Sequence, residues 1–256
     1  MTGLDRFTNK AQKYEKYRPS YPKKALNIIL EECEIELNND IIVADIGSGT
    51  GKFTELLLET SCVVYAIEPN DNMRAIAEAK FIGNHNYNSI NNTAENTGLD
   101  NNSIDLITVA QALHYFNLDK TKDEFRRILK TNGKVVLLWN FRYRESDFMK
   151  EYEKIVYTFH SKDIQPTFAQ DKMNDEIYNI LFSKYKVFSI PYSQELNFDE
   201  LWGRVLSSNH SPRADDPNYN DLYKNMKRLF DKYQHNNKIT FEYRTKVIIG
   251  SINKNH

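Results

Sequence analysis

The sequence predicts an α/β protein built on a parallel sheet, and three observations carry that reading. Strand and helix signals alternate over residues 1–140, as expected for strands joined by crossover helices. The first strand candidate, Ile41-Ile42-Val43-Ala44-Asp45-Ile46, is a nearly unbroken apolar, β-branched run, the pattern of a strand covered on both faces. A glycine-rich turn, Gly47-Ser48-Gly49-Thr50-Gly51, follows it directly.

Each element has its own local reason. Phe7, Ala11 and Tyr14 fall at helical spacing, and Arg18-Pro19 ends that helix because a residue before proline avoids the α region. After the glycine turn, Phe53, Leu56 and Leu57 mark the buried face of a helix. A second strand, Val63 to Ile67, ends at Glu68. Pro69-Asn70-Asp71 then starts a helix, with Asn70 as N-cap and Met73, Ile76 and Ala77 facing inward. A third strand lies at Tyr87 to Ile90 and a fourth at Ile104 to Ala110, running into Gln111-Ala112-Leu113-His114-Tyr115-Phe116. Asn117 or Asp119 caps the next helix, whose stripe is Phe125, Ile128 and Leu129. Asn132-Gly133 stops it before a fifth strand, Lys134 to Trp139.

Beyond residue 141 the pattern changes. Helical segments fall near 146–160, 171–183, 198–207 and 219–233, with strand candidates at Tyr185 to Tyr192 and Ile239 to Ile249. The expected organisation is a leader over 1–35, a ligand-binding core over 36–142, and a cap over 143–256 that also completes the sheet.

Composition narrows the function. Lys and Arg total 34 against 35 Asp and Glu, so the chain lacks the long-range field that draws proteins to a phosphate backbone. No nucleic-acid partner is expected. Cys33 and Cys62 stand far apart, which excludes a Cys-based zinc site and fits a reducing compartment. The histidines are scattered without metal-ligand spacing, so no metal is expected. Apolar runs reach only about five residues, far short of a membrane span. A cytoplasmic location follows as the expectation, with no membrane partner.

The chemistry concentrates in strand, Asp45, glycine loop, helix, strand, Glu68. Such a loop lets a ligand lie against bare backbone at a helix N-terminus. A dinucleotide fingerprint needs glycine at position 52, which is Lys, and no phosphate-loop Gly-Lys-Ser/Thr is present. Glu68, an acceptor-only carboxylate at a strand end, is placed to take both hydroxyls of a ribose. Asp45 is placed to meet an ammonium group and would repel a phosphate. Together they favour a ligand with a cationic end and a nucleoside end, as in S-adenosylmethionine.

Val43-Ala44-Asp45-Ile46-Gly47-Ser48-Gly49-Thr50-Gly51 resembles motif I of the class I S-adenosylmethionine-dependent methyltransferases, in the small-molecule branch often called methyltransferase type 11. The similarity continues in Ala66-Ile67-Glu68-Pro69-Asn70 and Met73, Thr93-Ala94-Glu95, Asn102 to Leu106, Gln111 to Phe116 and Leu129 to Lys134. It covers roughly residues 40–140. The resemblance implies a Rossmann-like, seven-stranded, mostly parallel sheet with helices on both faces, and ligand at the carboxyl ends of the strands. It implies that Gly47, Ser48, Gly49 and Gly51 lie beside the methionyl part, with Asp45 near its amino group. Glu68 and Pro69 would stand at the ribose, Asn70 and Met73 flanking ribose and adenine, Ala94 and Glu95 at the adenine edge, and Gln111 near the sulfonium. The product would be S-adenosylhomocysteine.

His114, just past the fourth strand, is the candidate general base, needed only if the acceptor is protonated. Tyr14, Arg18, Tyr21, Asn140, Arg142 and Arg204 are candidates for acceptor contact or lid. An arginine there favours an anionic acceptor. Similar methyltransferases fold a Tyr- and Arg-bearing leader over the cofactor, so Tyr14 and Tyr21 are expected to face the pocket. The competing readings are a nicotinamide-dependent oxidoreductase, a non-catalytic cofactor-binding module, and a tRNA- or protein-modifying methyltransferase.

Overall fold

A computed structural model describes residues 11–35, 40–159, 174–208, 211–212 and 214–252. Phe7 and the first part of the helix expected over 171–183 lie outside the described residues. The strands are β1 (Ile42–Ile46), β2 (Val63–Ile67), β3 (Tyr87–Ile90), β4 (Ile104–Ala110), β5 (Leu129–Arg142), β6 (Phe182–Leu196) and β7 (Ile239–Ile252). They form a seven-stranded sheet in the order β3-β2-β1-β4-β5-β7-β6. All neighbours from β3 to β5 are parallel, while β7 runs antiparallel between β5 and β6. The fold is thus the mostly parallel α/β architecture expected from the alternating pattern. Strand order reverses at β1 and β4, which opens a crevice at their carboxyl ends.

The helices are α1 (Ala11–Tyr17), α2 (Lys23–Cys33), α3 (Lys52–Leu58), α4 (Asp71–Lys80), α5 (Leu118–Ile128), α6 (Asp147–Thr158), α7 (Asp175–Leu181), α8 (Phe198–Leu206) and α9 (Tyr219–Tyr233). Period-2 alternation sorts the strand residues to two faces. Ala44, Ile46, Ile107, Val109, Val135, Leu137 and Trp139 pack with Phe125 and Ile128 of α5 and Leu181 of α7. Val43, Leu106, Val136 and Leu138 face the other way, onto Leu26 and Ile29 of α2 and Phe53, Leu56 and Leu57 of α3. The leader region therefore contributes a core helix, α2, as well as the short α1.

β4 ends at Ala110, opposite Leu138. β5 continues to Arg142, paired with Tyr243, and β6 continues to Leu196, paired with Ile239. These strands project past the crevice, and α6, α8 and α9 pack on the projection. Their shared core includes Met149, Tyr152, Leu201, Met226, Phe230 and Phe241. The cap is thus a third apolar cluster built on overhanging strands.

The boundary between α5 and β5 differs from expectation. Asn132-Gly133 does not stop α5, which ends at Ile128, and Leu129 is already extended (φ −70°, ψ 133°). Leu129 is buried and pairs with Ile104, after which Leu106 pairs with Lys134. A register shift absorbs the intervening residues, so burial of Leu129 in the sheet overrides continuation of the helix. A Cβ on Gly133 would stand 2.6 Å from Leu129 Cδ2, which explains glycine there by packing.

Candidate active site

The loop after β1 is anchored by β2, since Gly47 N–H and Ser48 N–H both donate to the Ile67 carbonyl at 2.8 and 3.1 Å. Gly47, Gly49 and Gly51 have φ of +68°, +60° and +80°, in the left-handed region that favours glycine. Space divides them further. A Cβ would stand 2.5 Å from Ala112 Cβ at Gly47 and 2.5 Å from Phe81 Cε2 at Gly51, but meets nothing within 4 Å at Gly49. Gly51 serves the fold, as the residue that opens α3 against Phe81. Gly49 keeps backbone bare where the protein is open.

What lies there is a cavity of about 280 Å³. Its wall includes Gly47 and Gly49, Glu68 to Asn70 beyond β2, Met73 of α4, Thr93 to Glu95, Ala110 to Ala112, Tyr115 and Phe116, and Tyr14 of α1. Ser48 and Gly51 stand outside this wall.

Glu68 ends β2 with 7 % of its surface exposed. Its Oε2 accepts from Gly49 N–H at 2.9 Å and its Oε1 from Asn70 N–H at 2.8 Å. Burial pushes its carboxyl above the ordinary value, while these two bonds and Arg74 oppose that rise. Each oxygen retains acceptor capacity toward the cavity. Asn70 caps α4, its Oδ1 accepting from Asn72 N–H and Met73 N–H, both at 3.1 Å.

Asp45 is placed differently from the expectation of an ammonium contact. It is 1 % exposed, its oxygens accept from Thr54 Oγ1 at 2.6 Å and Thr108 Oγ1 at 2.8 Å, and it is absent from the cavity wall. Burial raises its pKa from 3.8 to about 6. Its side chain points into the α3–β4 junction, because inward alternation along β1 aims it there.

Gln111 has φ +60°, a left-handed conformation uncommon for a non-glycine residue and frequent at functional turns. It redirects the chain from β4 into a single 3-10 turn, Leu113–Tyr115, and puts Ala110, Gln111 and Ala112 on the wall. Its Nε2 reaches Asn140 O at 3.4 Å. Glu95 lines the wall while its Oε1 accepts from Asn117 N–H at 2.8 Å, at the start of α5. Ala94 and Met73 are nearly buried. His114 is not on the wall. Its ring lies 3.9 Å from that of Tyr115 and 6.4 Å from that of Trp139, and Tyr115 and Phe116 face the cavity instead.

α1 straps the loop from above. Glu15 accepts from Thr50 Oγ1 and pairs with Lys52 Nζ at 3.3 Å and Lys80 Nζ at 3.2 Å. Burial pushes its carboxyl up, but the Thr50 hydroxyl and the two ammoniums outweigh this and hold it below its ordinary value. Tyr14 lines the cavity, and burial raises its phenol. Tyr21 does not face the pocket as expected. It packs edge-on against Phe53 at 5.3 Å, within the α2–α3 core, because Pro22 starts α2 and turns the chain onto the sheet.

The other expected acceptor-contact residues divide similarly. Asn140 is a tie between segments, its Nδ2 donating to Ser20 O at 2.9 Å and its Oδ1 accepting from Thr245 Oγ1 at 2.6 Å. Arg18, Arg142 and Arg204 gather where α1, the cap and the overhanging strands meet. Arg142 pairs with Glu153 at 2.7 Å. Arg204 donates to Tyr243 OH and to Gln194 Oε1.

The sequence reading gave no role to Thr93, Ala110, Ala112, Tyr115 or Phe116, although all but Ala110 lie in its family stations. It also passed over Glu15, Thr50, Lys52 and Lys80, whose convergence crosses three elements and leaves no local pattern. Among the described residues no group of three His, Cys, Asp or Glu side chains is arranged to hold a metal.

A parallel sheet with one reversed strand, a bare-backbone loop after β1 and an acid at the end of β2 define the Rossmann-like methyltransferase class. A family described as a methyltransferase domain matches residues 44–137, the stretch that runs from β1 into β5. An uncharacterized methyltransferase of Mycobacterium tuberculosis is 33 % identical over 143 residues, 56 % of this chain and 55 % of that protein. The chain thus matches about half the length of that relative. An uncharacterized methyltransferase-like protein of Schizosaccharomyces pombe is 29 % identical over 199 residues, 77 % of this chain and 75 % of that one. Among solved structures, a type II methyltransferase candidate from Anaeromyxobacter dehalogenans superposes with a TM-score of 0.62. It is 17 % identical and covers 91 % of this chain and 96 % of its own, a likeness of fold.

Proposed function

We propose that this protein transfers the methyl group of S-adenosylmethionine to a small-molecule acceptor with an O, N or C nucleophile. The observation that carries the reading is the pairing of Gly49 and Glu68 at one cavity. Gly49 leaves room for a ligand against the backbone, and Glu68 is held by two amides beside it. Glu68 would hold the ribose hydroxyls, Met73 and Ala94 the adenine faces, and Gly49 the methionyl end. The cofactor supplies a sulfonium methyl already activated for displacement.

The chain's own work is positioning and exclusion of water. Orientation of this kind contributes roughly 7–11 kcal/mol in well-aligned systems. Tyr14 of the strap, Tyr115 of the 3-10 turn and Phe116 just after it line the cavity with aromatic surface, and the Glu15 contacts hold the strap on the loop. No helix among the described residues is long and apolar enough to cross a membrane. A near-balanced charge supports a free small molecule rather than a nucleic acid as partner.

Calorimetry with S-adenosylmethionine, S-adenosylhomocysteine and a nicotinamide dinucleotide tests the cofactor. Binding of the first two and not the third is expected, and the reverse would replace this reading with an oxidoreductase. Incorporation of labelled methyl into a metabolite extract identifies the acceptor. Incorporation only into tRNA or protein would overturn the small-molecule reading.

A further inference from the structure

Among the described residues, two arginines at the seam of strap, cap and overhanging strands have no carboxylate partner. Arg204 of α8 is 6 % exposed. It donates to Tyr243 OH and, through Nη2, to Gln194 Oε1 at 2.6 Å, and its guanidinium lies 5.7 Å from the Phe241 ring centre. Among the described residues its Nε is buried without an acceptor. Arg18, one residue past α1, donates from Nη2 to Ser207 O at 3.2 Å and lies over the Tyr14 ring at 5.6 Å. Its Nε is likewise buried without an acceptor.

Neighbouring charge deepens the imbalance. Glu153 takes Arg142 at 2.7 Å and Arg144 at 3.8 Å, and no ion pair among the described residues reaches Arg18 or Arg204. Arg142 lies over the Tyr152 ring at 5.8 Å and Arg204 over the Tyr243 ring at 5.6 Å, while Arg18 reaches Ser207, three residues from Arg204. Burial pushes Tyr243 up to about 12 and raises Tyr152, so neither phenol supplies a compensating anion. Burial pushes the Arg204 guanidinium below its ordinary value, and Arg18 adds to that. A cation buried without an anion is costly, and a planar guanidinium fork matches carboxylate and phosphate oxygens.

The seam adjoins the cavity through one side chain. Tyr14 forms cavity wall and also carries Arg18 over its ring. We propose that Arg18 and Arg204, with Arg142 beside them, bind an anionic group of the methyl acceptor, a carboxylate or a phosphate, across Tyr14 from the glycine loop. The inference rests on the methyltransferase reading for the word acceptor, whereas the anion site stands on the arginines. An anion there would join α1 to α8 and close the strap against the cap.

The full chain, with and without S-adenosylhomocysteine, is titrated by calorimetry with glutarate, glycerol 3-phosphate and the uncharged diamide of glutarate. At least one anion is expected to bind and the diamide not, with the stronger anion deciding between carboxylate and phosphate. Arg18→Gln, at a partly exposed position outside the cores, should weaken that binding about tenfold or more, since charge-assisted bonds are lost. Its affinity for S-adenosylhomocysteine and its melting temperature should be nearly unchanged. Failure of both anions to bind, equal binding of the diamide, or an unaffected Arg18→Gln would overturn the site. If S-adenosylhomocysteine itself does not bind, the methyltransferase reading fails while the anion titration still reports on the arginines.

Discussion

Gly49 N–H donates to Glu68 Oε2 at 2.9 Å, across 19 positions of sequence. The loop that ends β1 and the acid that ends β2 thereby hold each other in place before any ligand arrives. The other oxygen is held by Asn70 N–H, so the carboxylate's rotamer is set by two amides, and its remaining lone pairs are left to the cavity. Glu68→Ala should weaken S-adenosylmethionine binding by roughly 2–4 kcal/mol, the range for charge-assisted hydrogen bonds lost together. Calorimetry measures this, and unchanged affinity would remove Glu68 from the ribose site.

Gly49 and Gly51 should respond differently to alanine. Both pay backbone strain of roughly 1–2 kcal/mol for a left-handed L-residue. Gly49→Ala adds only a methyl in open space, so it should stay folded and lose ligand affinity. Gly51→Ala drives its methyl onto Phe81 and should lose more stability. Melting temperature and product affinity, measured on both variants, separate the two roles; similar losses would show that the glycines act alike.

Asp45 makes stability depend on pH. Its folded pKa of about 6 exceeds the ordinary 3.8, so the folded state holds the proton more tightly than the unfolded. The contribution is full below about 3.8 and is lost as pH rises through about 6. Asp45→Asn lacks this dependence. Wild type should lose up to roughly 3 kcal/mol relative to the variant between about pH 4 and about pH 8. Urea denaturation across that range checks it, and a constant difference would show the shift to be absent.

The strap should be a separable closing element. Glu15→Ala removes its side-chain bonds to Thr50, Lys52 and Lys80 and leaves only the Lys52 bond to the Glu15 carbonyl, and α1 is only seven residues long, too short to persist alone. Amide exchange across 11–17 should quicken in the variant and slow in wild type on adding S-adenosylhomocysteine. Exchange indifferent to both changes would make α1 a fixed part of the scaffold.

His114→Ala should affect the rate less than the roughly 10²–10⁴-fold expected on losing a general base, because Tyr115 and Phe116, and not His114, form the wall. The effect expected is a modest loss through displaced Tyr115, with cofactor affinity intact. A full loss of that size, with activity falling as pH drops through the histidine range, would assign the base after all.

Much of this protein is determined locally. β2 and β4 stand where their apolar runs predict and β3 where the sequence expects it, Asn70 caps α4 because a side-chain oxygen follows Pro69, and α1 ends before Arg18-Pro19. The glycine loop and Glu68 are legible because a turn chemistry and a strand end must coincide in sequence. Other features depend on what arrives from elsewhere. Period 2 puts the Asp45 side chain on one face of β1, but only Thr54 and Thr108 decide that this face is closed. Tyr14 and Tyr21 share one leader, yet Pro22 and Phe53 draw one into the core and leave the other at the cavity. Leu129 fits a helix stripe, and its pairing with Ile104 makes it strand. The arginine seam, formed by residues as distant in sequence as Arg18 and Ser207, has no sequence pattern at all. Local geometry sets periodicity, caps and turns through neighbouring atoms, whereas burial and charge balance are sums over segments that only the folded sheet brings together.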